Sequence, residues 1–144
     1  MVSKFVQLFS LIALITLFAL QVHAQDKYGK VTYNKKNISE LITGRNPEFG
    51  ITGRDGCVVS GKLYLELRDM DVQHIEGWVR DEHTGQGLSG ASVQLTRKNG
   101  PIEKLVTDST GKFILLKAAP MKEMKVLYIG FWPLQIKGSK EKLF

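Results

Sequence analysis

Residues 74–138 contain short segments in which apolar and polar side chains alternate, and this pattern constrains the fold more than any other feature. Glycine- or proline-containing turns separate the segments at intervals of about 8–12 residues, and no helical period extends beyond one or two turns. Alternation with a period of two is typical of strands that bury one face. The pattern predicts an all-β sandwich or barrel. The strand segments are 75–80, 91–96, 103–107, 112–116, 125–129 and 133–137, of which 125–129 is apolar on both faces and is expected to be central and covered.

Upstream of this series, residues 62–68 alternate in the same way and predict a seventh strand, with three leucines on one face. The rest of residues 25–73 is irregular. Within it, 29–33 is a candidate short strand, 37–42 is a candidate for one or two capped helical turns, and 44–56 has the composition of a loop. The sequence leaves open whether this segment packs on the sandwich.

The first 24 residues have the features of a secretory signal peptide. Lys4 supplies a positive charge, residues 5–20 are almost entirely apolar, and Val22-His23-Ala24 fits a signal-peptidase site. The apolar run is shorter than the roughly 20 residues that cross a bilayer as a helix. We therefore expect cleavage after Ala24, no membrane span after its removal, and a location in the periplasm, at the outer membrane or outside the cell. An uncleaved anchor is the alternative.

Charge and cysteine content exclude several classes of function. The 144 residues carry a formal charge of +6, but basic and acidic residues are interleaved instead of forming a basic stripe, so we expect no nucleic-acid binding. The single cysteine, Cys57, excludes an intrachain disulfide framework and a cysteine-rich zinc site. Its neighbours Val58 and Val59 favour a small buried hydrophobic residue over a nucleophile.

Four motifs follow one another within residues 74–138. They are Gly77-x-Val79-x-Asp81, Thr84-Gly85-Gln86-Gly87-Leu88-x-Gly90-Ala91-x-Val93, Val106-Thr107-Asp108-x-x-Gly111-x-Phe113 and Tyr128-Ile129-Gly130-Phe131. Together they resemble the carboxypeptidase regulatory-like domain of bacterial envelope proteins. The resemblance implies a seven-stranded Greek-key sandwich, transthyretin-like and immunoglobulin-like. The expected organisation is a signal peptide at 1–24, an irregular segment at 25–73, the sandwich at 74–138 and a tail at 139–144.

Several residues in these motifs have a physical role that can be predicted. Gly77 is expected to leave room beside Trp78 or to allow a bulge. Asp108 and Gly111 are expected to build a hairpin turn, in which the carboxylate accepts backbone N–H groups and the glycine takes a positive φ. Gly130 is expected to let the chain pass close to the sheet edge.

The titratable residues do not form a convincing catalytic set. His83 lies beside Asp81 and Glu82, which could imitate a metal or acid–base site, but three adjacent loop residues favour a solvated turn. His74 has no partner nearby in the sequence. Asp108 with Asp81 supplies fewer oxygens than Ca²⁺ requires. We therefore expect no catalytic, cofactor-binding or metal-binding residues.

The aromatic residues offer an alternative function. Trp78, Tyr128, Phe131 and Trp132 could form a sugar-binding platform, although aromatic residues of a small sandwich favour the core. Trp132 lies next to a proline and outside the alternation, so it is the best candidate for exposure.

We therefore expect a non-enzymatic, exported accessory module that binds another envelope protein, for example an outer-membrane nutrient transporter. The alternatives are a glycan-binding module near Trp132 and a small hydrolase of transthyretin-like fold. Residues 140–144 do not match the C-terminal Tyr-Arg-Gly-Ser of hydroxyisourate hydrolase, which disfavours that activity.

Overall fold

The computed structural model describes residues 28–43, 59–118 and 120–138, and the expected signal peptide, Cys57 and the tail lie outside them. The strands are β1 (Gly29–Tyr33), β2 (Lys36–Asn37), β3 (Leu63–Asp69), β4 (His74–Asp81), β5 (Ser92–Arg97), β6 (Ile102–Val106), β7 (Lys112–Leu116), β8 (Met121–Leu127) and β9 (Leu134–Lys137), with one 3-10 turn at Ser39–Leu41. The candidate strand at 29–33 is observed as β1, although the predicted count of seven included neither it nor β2.

The strands form two sheets, which confirms the predicted all-β architecture. One sheet has the order β2-β1-β3-β4-β7 and the other β6-β5-β8-β9. All pairs are antiparallel except β1 with β3, which is parallel. The chain passes between the sheets after β4, after β6 and after β7.

The described part of residues 25–73 contributes to the same sheet as β4. The strand predicted at 62–68 is observed as β3, which pairs with β4 from Leu63 opposite Asp81 to Asp69 opposite Ile75. On its other side β3 pairs with β1. The three β3 leucines are fully buried because the pleat directs every second side chain between the sheets.

One continuous core fills the space between the sheets. Burying each leucine or valine side chain stabilises the fold by about 1.5–3 kcal/mol before conformational entropy is counted. The largest fully buried side chains are Val31, Leu63, Leu65, Leu67, Ile75, Val79, Val93, Leu95, Leu115, Met124, Leu134 and Ile136.

The strand expected at 125–129 is observed as β8, which begins four residues earlier, at Met121. The expectation that both faces of this strand are covered is wrong. β8 is central in its sheet but buries only one face, through Met121, Met124 and Val126. It ends before Tyr128 because Gly130 (φ +83°) reverses the chain, and Ile129 in this turn is 78% exposed. The apolar pattern misled here because Ile129 belongs to the turn.

Two predicted glycine roles are also wrong. A Cβ on Gly77 would lie 2.2 Å from Phe113 Cζ, so this glycine accommodates the ring of its β7 partner and not Trp78, which is on the opposite face. A Cβ on Gly130 would meet nothing within 4 Å, so its positive φ and not close packing explains the residue. The close approach occurs at Gly61, where a Cβ would lie 2.5 Å from the Phe131 ring.

The turn predicted at 108–111 is observed, but it is not a hairpin turn, because it connects β6 of one sheet to β7 of the other. Asp108 Oδ1 accepts the backbone N–H groups of Thr110 (2.8 Å) and Lys112 (2.9 Å), and Gly111 has φ +80°. A Cβ on Gly111 would lie 2.5 Å from the carbonyl oxygen of Val79. The turn is therefore packed against the end of β4 as well as closed by its own carboxylate.

Candidate binding surfaces

Asp81, Glu82 and His83 line one open depression, but the carboxylate of Asp81 has a structural role. Together with Ser60, Gly61 and Lys62 they line a space of about 660 Å³. Asp81 Oδ1 accepts the backbone N–H groups of His83 (2.8 Å) and Thr84 (3.3 Å), which closes the loop after β4. Within the described ranges no three His, Cys, Asp or Glu side chains converge as metal ligands do.

The two described histidines lie at opposite ends of β4. His74 begins the strand and His83 follows its end, which separates them by roughly 25 Å of extended chain. His74 Nδ1 lies 2.8 Å from Asp71 Oδ2. The backbone N–H of Gln73 and the His74 ring lower the pKa of Asp71, so this carboxylate stabilises the turn between β3 and β4.

Asp108 has the same role at the other turn. Hydrogen bonds from the Thr110 hydroxyl and from the backbone of Lys112 and Thr110 lower the pKa of its carboxyl group. Asp108 and Asp81 each stabilise their own loop. The geometry thus gives neither carboxylate a free set of oxygens directed at a common cation.

The structure places the two tryptophans differently from the sequence expectation. Trp132 is half-buried and packs edge-on against Tyr28, with ring centroids 6.0 Å apart. Phe131 packs against the core, and its ring meets Tyr128 at 5.4 Å. Trp132 is therefore not the exposed aromatic residue that its position outside the alternation suggested.

Trp78 instead faces outward on the five-stranded sheet. Arg68 lies 5.2 Å and Lys112 5.3 Å from its ring centroid. Each cation also has an acidic partner, Glu66 at 2.5 Å and Glu76 at 2.9 Å respectively. The alternation of residues 75–80 could have shown this orientation, since buried Val79 and Gly77 flank the tryptophan.

Three of the four described sheet edges are short or partly covered by other residues of this chain. β2 has only two residues, and the edge of β1 beyond it is bonded by the segment at 38–39. The edge of β9 is covered by Thr43, whose N–H donates to Gln135 O at 2.7 Å. Such short or covered edges protect a sheet against pairing with other chains.

The β7 edge is closed at its two ends by flanking residues, whereas its central residue, Ile114, has no such bond among the described residues. Val79 N–H donates to Gly111 O, which makes Lys112, Ile114 and Leu116 the residues whose backbone groups face away from β4. The N–H and C=O of Lys112 bond to Asp108. The carbonyl oxygen of Leu116 accepts from the backbone of residue 118 and from the guanidinium of residue 97.

The fourth edge, β6, differs. Thr107 N–H donates to Ala91 O at 3.0 Å, which fixes the phase of the ladder between β5 and β6. Because hydrogen-bonded pairs alternate in an antiparallel ladder, Glu103 and Leu105 direct their backbone groups toward β5. The backbone groups of the other three β6 residues point away from the sheet.

These three residues, Ile102, Lys104 and Val106, form what we call the β6 edge. No backbone or side-chain group of the described segments bonds to their outward N–H and C=O groups. Their side chains share the outer face of the sheet, where Ile102 is 57% and Val106 68% exposed. An open strand edge with exposed β-branched side chains is a template for another strand.

A buried arginine supports this edge from inside the sandwich. Arg97 is 5% exposed and its Nε donates to Glu103 Oε1 at 2.8 Å. The same guanidinium reaches Leu116 O in the opposite sheet. Arg97 therefore holds β6 and β7 together while closing only the β7 edge.

Comparisons of this chain with protein-family models, curated proteins and solved structures find no match. The resemblance to the carboxypeptidase regulatory-like domain thus stays a prediction. No helix in residues 28–43, 59–118 and 120–138 has the length and apolar character needed to cross a membrane.

Proposed function

We propose that this protein is an exported, non-enzymatic interaction module of the bacterial cell envelope that binds an extended segment of another envelope protein along the β6 edge. The observation that carries the proposal is the contrast between β6 and the other three edges. A strand added to an open edge gains main-chain hydrogen bonds without any rearrangement of the sandwich. An outer-membrane nutrient transporter is one example of such a partner.

Two further features support the proposal. The signal-like first 24 residues favour export. The carboxylates of Asp71, Asp81 and Asp108 are occupied by bonds to their own turns, which favours a structural over a catalytic role. The crossings between the two sheets support our inference of a transthyretin-like Greek-key sandwich.

The test replaces one outward-facing N–H group. Lys104→Pro removes a donor from the β6 edge. The bonds between β5 and β6 are made by Glu103 and Leu105 and are not affected, because proline is tolerated where the N–H faces away from the sheet. Ile114→Pro is the matched control, since Ile114 also faces away from its sheet, on β7. A photo-crosslinker at position 106 is expected to capture an envelope protein in the Ile114→Pro protein but not in the Lys104→Pro protein. Equal capture by both would contradict docking on β6.

Glycan binding is the second candidate, now favoured at Trp78 because this residue and Tyr64 face outward on the five-stranded sheet. Affinity electrophoresis in polysaccharide gels should then show loss of retardation for Trp78→Ala and none for Trp132→Ala. Equal mobility of wild type and Trp78→Ala would exclude this surface.

A further inference from the structure

We infer that the strand bound by the β6 edge carries an acidic residue opposite Lys104 and apolar β-branched residues two positions to either side. This inference rests on the proposed docking at β6 and adds the chemistry of the partner. It also implies that the partner is a different protein and not a second copy of this chain.

Lys104 lies at the centre of the β6 edge, and no acidic residue lies opposite or diagonal to it on the outer face of β5. Its partner across the β5 ladder is Gln94, and the diagonal positions are Ser92 and Thr96. Among the described residues, Lys104 has no ion pair or hydrogen bond to its side chain. An opposite charge directly across a strand pair is favourable, and no described residue occupies that position on the open side of Lys104.

The flanking side chains define the other two positions. Ile102 and Val106 lie on the same face as Lys104 and are more than half exposed. Side chains directly opposite each other in paired strands approach to about 4.5–5.5 Å, and pairs of β-branched residues are among the favourable ones. A partner with an apolar–acidic–apolar alternation therefore matches every side chain of this edge.

The same lysine disfavours a second copy. Antiparallel pairing of two β6 strands about their centre would place Lys104 directly opposite its symmetry mate, and like charges in that position are destabilising. Shifting the two β6 strands by two residues removes the contact between the two lysines, but it leaves outward backbone groups at the strand ends without a partner. The formal charge of +6 adds a general repulsion between copies.

A charge-swap experiment with synthetic peptides tests the inference. The probes are three seven-residue peptides with Val two positions on either side of a central Glu, Gln or Lys. In low-salt fluorescence anisotropy, we expect the wild-type protein to bind the Glu peptide about tenfold more tightly than the Lys peptide. Lys104→Glu should reverse this order, and Lys104→Gln should remove it. Circular dichroism confirms that the variants fold.

Three results would overturn the inference. The first is an unchanged order of affinities for the Glu, Gln and Lys peptides in Lys104→Glu. This result would contradict the charge specificity, while loss of binding in Lys104→Pro would still support the proposed function. The second is peptide binding that Lys104→Pro leaves unchanged, or no binding at all, which contradicts the proposed function as well. The third is a wild-type dimer in sedimentation that Lys104→Pro dissociates, which would make the occupant a second copy.

Discussion

β6 and β7 are two edge strands of equal length that follow each other in the sequence, yet β6 is open along its described edge and β7 is closed at both ends. Each has five residues and exposes two aliphatic side chains, Ile102 and Val106 on β6, Ile114 and Leu116 on β7. The difference lies in their backbone groups. Those of β7 are bonded by the Asp108 turn at one end and by Arg97 at the other.

Residues outside an edge strand therefore decide whether it is closed. A turn carboxylate and a buried guanidinium protect β7, although its exposed side chains are as apolar as those of β6. Three changes should weaken the closed side or its anchors, and we expect their effects to decrease from Gly111 to Arg97 to Asp69.

Gly111→Val should have the largest effect, because Gly111 holds the turn that closes the start of β7. The positive φ and the clash with Val79 O should together cost about 3 kcal/mol of the free energy of unfolding. Gly85→Val is the control, since Gly85 has φ +73° but a Cβ there would meet no atom within 4 Å, and it should cost about 1–2 kcal/mol. Urea denaturation measures both, and equal costs would contradict the packing of the turn against β4.

Arg97→Met should cost about 2 kcal/mol, because it leaves Glu103 and the Leu116 carbonyl without their buried partner. This value is below that of a fully buried pair, since the Glu103 side chain is 40% exposed. Lys98→Met, on the neighbouring exposed residue, should change stability by less than about 0.5 kcal/mol. Equal midpoints in urea for the two variants would show that Arg97 does not join the strands.

How far the sequence predicts this structure depends on how local each feature is. Alternation located β3 to β7 within one or two residues, and Asp108 with Gly111 identified their turn, because strand faces and tight turns depend on nearby residues. Arg97 forms an adjacent basic pair with Lys98, which suggests exposure, although the alternation 91, 93, 95 continues to Arg97 and indicates the inner face.

The open edge could not be predicted from the sequence. An open edge can be told from a covered one only through contacts between residues far apart in the sequence. Examples are the hydrogen bonds from Thr43 to β9 and from Arg97 to the Leu116 carbonyl. The role of Gly77 was missed for the same reason, since Phe113 lies on a different strand 36 positions later.

Asp69→Asn should have the smallest effect of the three. Asp69 binds Lys117, directly after β7, at 2.7 Å, and also accepts from Tyr33 and Asn34. Burial opposes ionisation, but these donors outweigh it and lower the pKa of Asp69 to about 2. The stabilisation is present above the unfolded pKa near 4 and is lost as pH falls toward 2.

Because the Asp69 side chain is 39% exposed, we expect a loss of about 1 kcal/mol at pH 7 after allowance for solvent screening. The difference between wild type and Asp69→Asn should shrink between pH 5 and pH 2, about the window of the shifted pKa. Thermal unfolding followed across this range measures it. A difference that stays constant with pH would mean that the ionised carboxylate does not anchor the end of β7.

Amide hydrogen exchange of the isolated protein tests the open β6 edge most directly. We expect fast exchange at Ile102, Lys104 and Val106 and slow exchange at Glu103 and Leu105, whose N–H groups bond to β5. Lys112, the outward-facing residue that Asp108 covers on β7, should exchange more slowly than Lys104. Protection of Ile102, Lys104 and Val106 equal to that of Glu103 and Leu105 would show that the edge is already covered and would contradict docking of a partner strand there.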